Sequence, residues 1–333
     1  MRQGARPGQE GTPMLGYVLR RGALLLGSFA IAMVLIFVLL RMLPGDPANA
    51  LLSVGATDEQ IAAAQAQVGS DKPLLVQFGA WAAQMLRFDL GESVITGAAI
   101  GPDVAARLQV TIPLTLIAFV GAVIVALVAG VTSAVRADRW YGVALSGVAQ
   151  FGIAVPVFWI GMILVWIFGL MLGWFPTGGF PTDDWAYPVD ALSSLALPAI
   201  AIAIVMGASL TRYVRSATID VLGSDYLRTA RAHGSGFGEA LWRHGLRNGS
   251  VPVISILGIE LASTLLGAVV VESVFALPGL GSYLVDGIAR HDFAAIQGVL
   301  VVTTLIVLLV GFAADLAQRF VDPRLRATTG VSA

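Results

Sequence analysis

DYLRTARAHGSGFGEALWRHGLRNGSVP, Asp225 to Pro252, holds four arginines (Arg228, Arg231, Arg243, Arg247) and two of the three histidines of a chain that is only 12% charged. Uncharged runs long enough to cross a bilayer lie on either side, and clustered arginine marks the cytoplasmic side of a membrane protein. The stretch is therefore expected to be a cytoplasmic loop that a soluble partner can read. Its pattern predicts two short helices joined at glycine. Asp225 can cap a helix that begins at Tyr226, Ala230 and Ala232 propagate it, and Gly234 supplies a left-handed residue to end it. A second helix is expected from about Phe237 to Leu246, with Leu241 against Phe237 and Arg243 and Arg247 on one side. The plainer reading of the same charges is a solvated loop that only sets topology.

Composition points the same way. The chain has 333 residues, 57% of them hydrophobic, and a mean hydropathy of +0.82, more apolar surface than a water-soluble domain can bury. A net charge of −1 gives no reason to expect nucleic acid. The absence of cysteine excludes disulfides, thiolate metal sites and cysteine catalysis. His233, His244 and His291 have no metal-ligand spacing. The single lysine, Lys72, stands in no glycine-rich phosphate loop, so ATP binding through a P-loop of this chain is excluded.

Taken in order, residues 1–14 read as a disordered tail rich in Gly, Pro and Arg. Arg20 and Arg21 precede an uncharged run over 22–40, read as a retained first span, since no small-residue cleavage site follows it. Leu43-Pro44-Gly45-Asp46-Pro47 then turns the chain out of the membrane. From 48 to about 108 the chain is amphipathic. Thr57 and Gln60 form a capping box for a helix that Gly69 ends, and a second helix after Pro73 carries Phe78, Trp81, Met85 and Phe88.

Further spans are expected within 108–135, over 146–172 with a kink at Pro156, over 191–211, over 249–271, and between Asp292 and Asp315. Gly169 and Gly173 make a small-xxx-small pair, and Asp315 can pair with Arg319 four residues on. The loop 173–190 carries Asp183, Asp184 and Asp190 but no basic residue, as an outer loop should. With both termini inside, 15 of the 20 basic residues fall on the cytoplasmic side.

Four segments also carry a resemblance. Tyr226, Arg228, Thr229, Ala230, Arg231, Ala232 and Gly234, followed by Arg243, His244, Leu246, Arg247, Asn248 and Pro252, resemble the cytoplasmic loop of binding-protein-dependent ABC importer permeases, above all the dipeptide, oligopeptide and nickel permeases. His233 stands where that family often has Lys. The LPGDP turn at 43–47 and the ESVFALPGLG segment at 272–281 resemble family motifs in the same order, and 71–91 resembles the large outer loop of one of the two permease partners.

The resemblance implies an all-α membrane protein with six transmembrane helices, the type I importer permease fold, and both termini cytoplasmic. It implies a first span at 15–43, an extracytoplasmic helical region at 44–108, and a core of five spans at 109–321 containing a cytoplasmic coupling loop at 212–250, with a tail at 322–333. Tyr226, Arg228, Thr229, Ala230, Arg231, Ala232 and Gly234 would then dock on an ATPase subunit. The implied partners are a second homologous permease, two ATPase subunits carrying ATP and Mg, an extracytoplasmic solute-binding protein and membrane lipid. The location would be a bacterial or archaeal plasma membrane, and the substrate a peptide, or else nickel, glutathione or another small solute.

Within the membrane, Glu260 is the one acid in the middle of an expected span, so it should face protein or water, lining a substrate path or bonding a neighbouring helix. Gln150, Ser263, Thr264, Thr111 and Thr115 can face such a path or bond between helices. There is no Gly-x-Ser-x-Gly and no carboxylate pair beside a histidine, so nothing points to a membrane enzyme. An ion-driven secondary transporter should show paired intramembrane acids or matching broken helices in two halves, and no repeat is visible.

Overall fold

The computed structural model describes residues 14–42, 57–93 and 95–321. The tail before residue 14, the turn at 43–47 and the segment 322–333 lie outside the described residues. Helix α1 spans Met14–Met42, α2 Asp58–Val68, α3 Leu74–Leu86, α4 Ile100–Val135, α5 Trp140–Ala154 and α6 Val157–Leu164. They are followed by α7 Pro188–Leu222, α8 Asp225–Ala232, α9 Phe237–Ala240, α10 Arg247–Val274, α11 Leu280–Arg290 and α12 Phe293–Val321. Among the described residues five helices are long and apolar enough to cross a membrane, and a bent pair, α5 with α6, brings the total to six.

The bundle is organised on α7. Two-thirds of its most apolar window is buried within the protein, against a third or less in the other four long helices. Hydrophobicity does not drive helix association inside lipid, so close approach depends on small residues. An added Cβ at Gly130 of α4 would lie 2.7 Å from Val214 of α7, and one at Gly152 of α5 would lie 2.7 Å from Ala208. The hydroxyls of Thr211 and Thr218 donate to carbonyls one turn back, so these polar residues are satisfied within α7 itself.

The expected kink at Pro156 is a corner of 105° between α5 and α6. Proline has no N–H and pushes its predecessor out of the helical region, and Val155 is extended at φ −88°, ψ 125°. Beyond α6 the chain widens into a π-helical turn, Val165–Met171, which Gly173 closes at φ +65°. The glycine pair at 169 and 173 does not form a helix-packing seam. Gly169 sits against Thr177 of the following loop, and Gly173 serves the turn.

On one end of the bundle, α3 lies over α1. Phe37, Phe78 and Trp81 form an aromatic trio with centroids 5.4 to 6.1 Å apart, and Met85 completes the cluster, whereas Phe88 falls beyond the helix end and is exposed. The capping box forms as expected: Thr57 N donates to Gln60 Oε1 at 2.9 Å, and Gln60 N to Thr57 Oγ1 at 3.4 Å. At the opposite end, Asp315 takes Arg21 of α1 at 3.0 Å rather than its helix neighbour Arg319. Arg319 stacks over the Tyr17 ring at 4.1 Å, because α1 and α12 run side by side there.

Candidate functional site

Three places gather polar chemistry: the 225–246 segment, the middle of α10, and the outer end of α10.

In the 225–246 segment, Gly234 has φ +93°. Gly234 N donates to Arg231 O at 3.0 Å and Ser235 N to Ala230 O at 3.2 Å, the paired bonds of a Schellman cap. The helix begins one residue earlier than expected. Ser224, extended at φ −79°, ψ 146°, precedes its first residue, and Asp225 pairs with Arg228 at 3.6 Å instead of capping. One side chain anchors α8: Leu227 is buried near Gly245 and Val221. Tyr226, Arg228, Thr229, Arg231, Ala232 and Gly234 are exposed around it, and Ala230 is half-buried.

The second half of the loop departs from the expected separate helix. α9 passes through a π-helical turn, Leu241–Leu246, directly into α10 with no break. Gly245 and Gly249 let this stretch press on Val221, at 2.7 and 2.8 Å from an added Cβ, and the second half of the loop and the fifth span form one unbroken helical run from Phe237 to Val274. Leu241 is buried, Phe237 sits under Arg231 with 5.8 Å from guanidinium to ring centroid, and Arg243 pairs with Glu239 at 3.0 Å. The side chain of Arg247 lies outside the described set, so its pairing with Arg243 on one side is not described.

In the middle of α10, Glu260 accepts a hydrogen bond from Ser209 of α7 at 2.9 Å. With Ser209, Ser263, Thr264 and Met206 it lines a cavity of about 190 Å³ that reaches Val157, beside the α5–α6 corner. Ser263 is exposed, while the Thr264 hydroxyl donates to Glu260 O at 2.7 Å. Gln150 lines a different cavity, of about 330 Å³, with Arg212 and Arg215. The residues considered for a substrate path are thus divided: Glu260, Ser263 and Thr264 line one cavity and Gln150 another, while Thr111 and Thr115 bond elsewhere, near Glu272.

The outer end of α10 holds the feature that the sequence reading missed. Glu272 is fully buried. Its carboxylate accepts from Thr111 Oγ1 of α4 at 2.6 Å and from the amides of Gly281 at 2.7 Å and Ser282 at 3.4 Å. Leu280 N in turn donates to Thr111 Oγ1 at 2.9 Å. A Cβ at Gly279 would fall on the Glu272 carboxylate, and one at Gly281 on the backbone of Val269. The glycines of LPGLG are therefore needed for close approach, and a Glu seven residues before a Gly-x-Gly was the signal available in the sequence. Thr111 ties helices together here, and Thr115 donates to the carbonyl of Thr111 at 2.7 Å.

Phe275 extends this knot to the loop before α7. Gly179 N donates to its carbonyl at 2.8 Å, and Gly178 leaves room for the same carbonyl. Beside it, Arg107 lies 4.8 Å over the ring of Tyr283, whose hydroxyl donates to Asp103 at 3.3 Å. Burial, with Asp103 and Asp292 nearby, pushes the Tyr283 hydroxyl up to about 12, so it stays protonated and donating through the physiological range. Asp292 accepts from Ser93 and, at 3.2 Å, from Ala295 N at the start of α12, pinning the turn before α4 onto the bundle.

Among the described residues no group of histidine, cysteine or acidic side chains could hold a metal ion. What the geometry offers is a firmly tied outer end, a solvent-exposed basic helix at the inner end, and between them a small, mostly apolar cavity that carries Glu260.

Residues 122–327 match the family model described as the binding-protein-dependent transport system inner membrane component. A protein of Brucella abortus (strain 2308), provisionally named a peptide transport system permease, is 35% identical over 94% of this chain and 99% of its own length. The glutathione transport system permease protein GsiC of Escherichia coli (strain K12) is 34% identical over 94% of this chain and 99% of its own length. Among solved structures, the MetNI methionine ABC transporter in inward-facing conformations matches with a TM-score of 0.55 at 16% identity, covering 66% of this chain and 96% of that one, a likeness of fold. The chain therefore belongs to the family of binding-protein-dependent transport system inner membrane components, as a multi-pass permease subunit of an ABC importer with the type I permease fold.

Proposed function

We propose that this chain forms half of the translocation path of an ATP-driven importer for di- or oligopeptides, working with a second, homologous permease. The observation that carries the substrate class is the pair of relatives named for peptide and for glutathione transport, since glutathione is itself a small peptide. An extracytoplasmic binding protein delivers the peptide to the outer surface built by 57–108 and the Glu272 knot. Two separate ATPase subunits bind ATP and Mg, and α8 docks on one of them through Tyr226, Arg228, Thr229, Ala230, Arg231, Ala232 and Gly234.

The exposed face of α8, and the unbroken run of α9 into α10 just beyond its Gly234 cap, support this reading. A partner that pushes α8 moves the helical run from Phe237 to Val274, whose middle carries Glu260, Ser263 and Thr264. Closure of the ATPase pair would thereby switch the cavity between the two sides of the membrane, through contacts that differ between two states. Glu260 and its neighbours serve as the polar part of the path, with Gln150 lining a separate cavity nearer the arginines of α7.

The test is ATP-dependent peptide uptake in cells or proteoliposomes carrying Arg228→Glu or Ala230→Glu. The expected outcome is normal insertion with ATP hydrolysis uncoupled from uptake. Arg228 is exposed, so its reversal costs the fold no more than its surface pair with Asp225, whereas Ala230→Glu also disturbs the half-buried side of α8. Uptake that survives both changes, or that stops with an uncoupler while ATP is plentiful, would refute this assignment and favour an ion-driven carrier.

A further inference from the structure

A groove of about 540 Å³ runs between α1, α10 and α12, away from both the outer knot and α8. Its inner mouth is formed by Arg21, Asp315 and Gln318. Below the mouth the walls are largely apolar, from Leu24 and Leu25 of α1 to Leu266 of α10 and Leu308 and Phe312 of α12, broken by Ser28 and by Ser263, which the groove shares with the Glu260 cavity. The groove ends at Val307, eight residues before Asp315 on α12. At ~1.5 Å per residue that is about 12 Å, close to half of a hydrocarbon core of ~30 Å. One leaflet, not the whole membrane, is the length it matches.

The mouth is also specific in its charge. Arg21 and Asp315 are paired at 3.0 Å, yet 39% and 32% of their side-chain surfaces remain exposed. Tyr17 holds both, with its hydroxyl 3.4 Å from the Asp315 carbonyl and its ring 5.6 Å from the Arg21 guanidinium. Arg319, also over the Tyr17 ring at 4.1 Å, is buried, so the charges open to a headgroup are one cation beside one anion above an apolar slot one leaflet long, the complement of a zwitterionic headgroup on two acyl chains.

We propose that this groove is a binding site for an inner-leaflet phospholipid with a phosphoethanolamine headgroup. The phosphodiester meets Arg21, the ammonium meets Asp315, and an acyl chain lies along the α10 and α12 walls. The charge match selects phosphatidylethanolamine over an anionic lipid, for which Asp315 is repulsive. Occupation ties α1, otherwise the least buried of the five long helices, to α10 and α12.

The test is native mass spectrometry of the full chain in its native assembly, extracted into nanodiscs of equimolar phosphatidylethanolamine and phosphatidylglycerol. Wild type is expected to retain phosphatidylethanolamine several-fold over phosphatidylglycerol, and Asp315→Asn to reverse that preference. Gly311 lines the groove with nothing within 4 Å of an added Cβ, so Gly311→Leu should fill the slot and lower retention of both lipids without lowering the melting temperature. Equal retention of the two lipids by wild type, or unchanged retention in a folded Gly311→Leu protein, overturns the proposal. The chain has no cysteine, so Ser28→Cys introduces one unique thiol in the groove. Its cross-linking to a second permease subunit would make the occupant protein instead of lipid, and overturns the proposal equally.

Discussion

The Glu272 knot and the α8 segment are both short, both rich in glycine and both at an end of α10, but they are built on opposite principles. In the knot, a fully buried carboxylate is met by one hydroxyl and two amides, and Gly279 and Gly281 leave no room for a side chain. In α8, one buried leucine anchors a helix whose named docking residues, the half-buried Ala230 apart, are exposed, and Gly234 has open space around its α-carbon. Buried polar groups that are fully satisfied specify one arrangement and resist change. A helix held at one point presents a surface and can follow a partner. The outer end is thus made to keep its shape and the inner end to be moved.

This contrast can be broken experimentally, most severely at the knot. Gly281→Val pushes a side chain into the backbone of Val269, which cannot yield as a flexible side chain would. We expect a loss of about 3 kcal/mol or more, read as failure to accumulate in the membrane or a collapse of the melting temperature in detergent. Normal accumulation and melting would mean that the 279–281 turn is not packed as described.

Thr111→Val is the next step down. It removes the donor to Glu272 and the acceptor of Leu280 N while keeping the shape of the side chain. Leaving such groups unsatisfied costs about 1–3 kcal/mol, and Thr111→Ser should recover most of it. Equal melting temperatures for the Val and Ser variants would show that the hydroxyl is not the link between α4 and α10.

Gly234→Ala should have the smallest effect on the fold. Its φ of +93° disfavours a Cβ, at roughly 1–2 kcal/mol, but the strain is confined to the exposed end of α8. Expected is a nearly unchanged melting temperature together with reduced coupling of ATP hydrolysis to uptake. A large fall in melting temperature would show that α8 is as firmly built in as the knot, and would remove the contrast.

The legibility of each region in the sequence follows the same physics. The Schellman glycine at 234 and the Thr57–Gln60 capping box are local, made by residues within a few positions of one another, and both were readable. Glu272 was quoted as part of a motif but not recognised as buried, since its partner Thr111 is 161 positions away. A still longer separation in sequence hid the Arg21–Asp315 pair, where the helical neighbour Arg319 was the natural guess. Pro156 announced a break, but its 105° angle depends on what α5 and α6 pack against.

By itself the sequence determined that this chain lives in a membrane, roughly where it crosses, and which side its arginines occupy, because hydropathy and charge act on each segment independently. It also carried the four segments by which the family was recognised. Only the tertiary structure decided that α7 is central, that the loop after α8 and the fifth span are one helical run, that Glu260 and Gln150 line different cavities, and that Glu272 is the keystone of the outer end. In lipid, one apolar residue looks like another to the solvent, so which faces meet is chosen by the fit of small residues and by hydrogen bonds between distant helices. Those are properties of pairs of segments, and they come into being only when the helices are brought together.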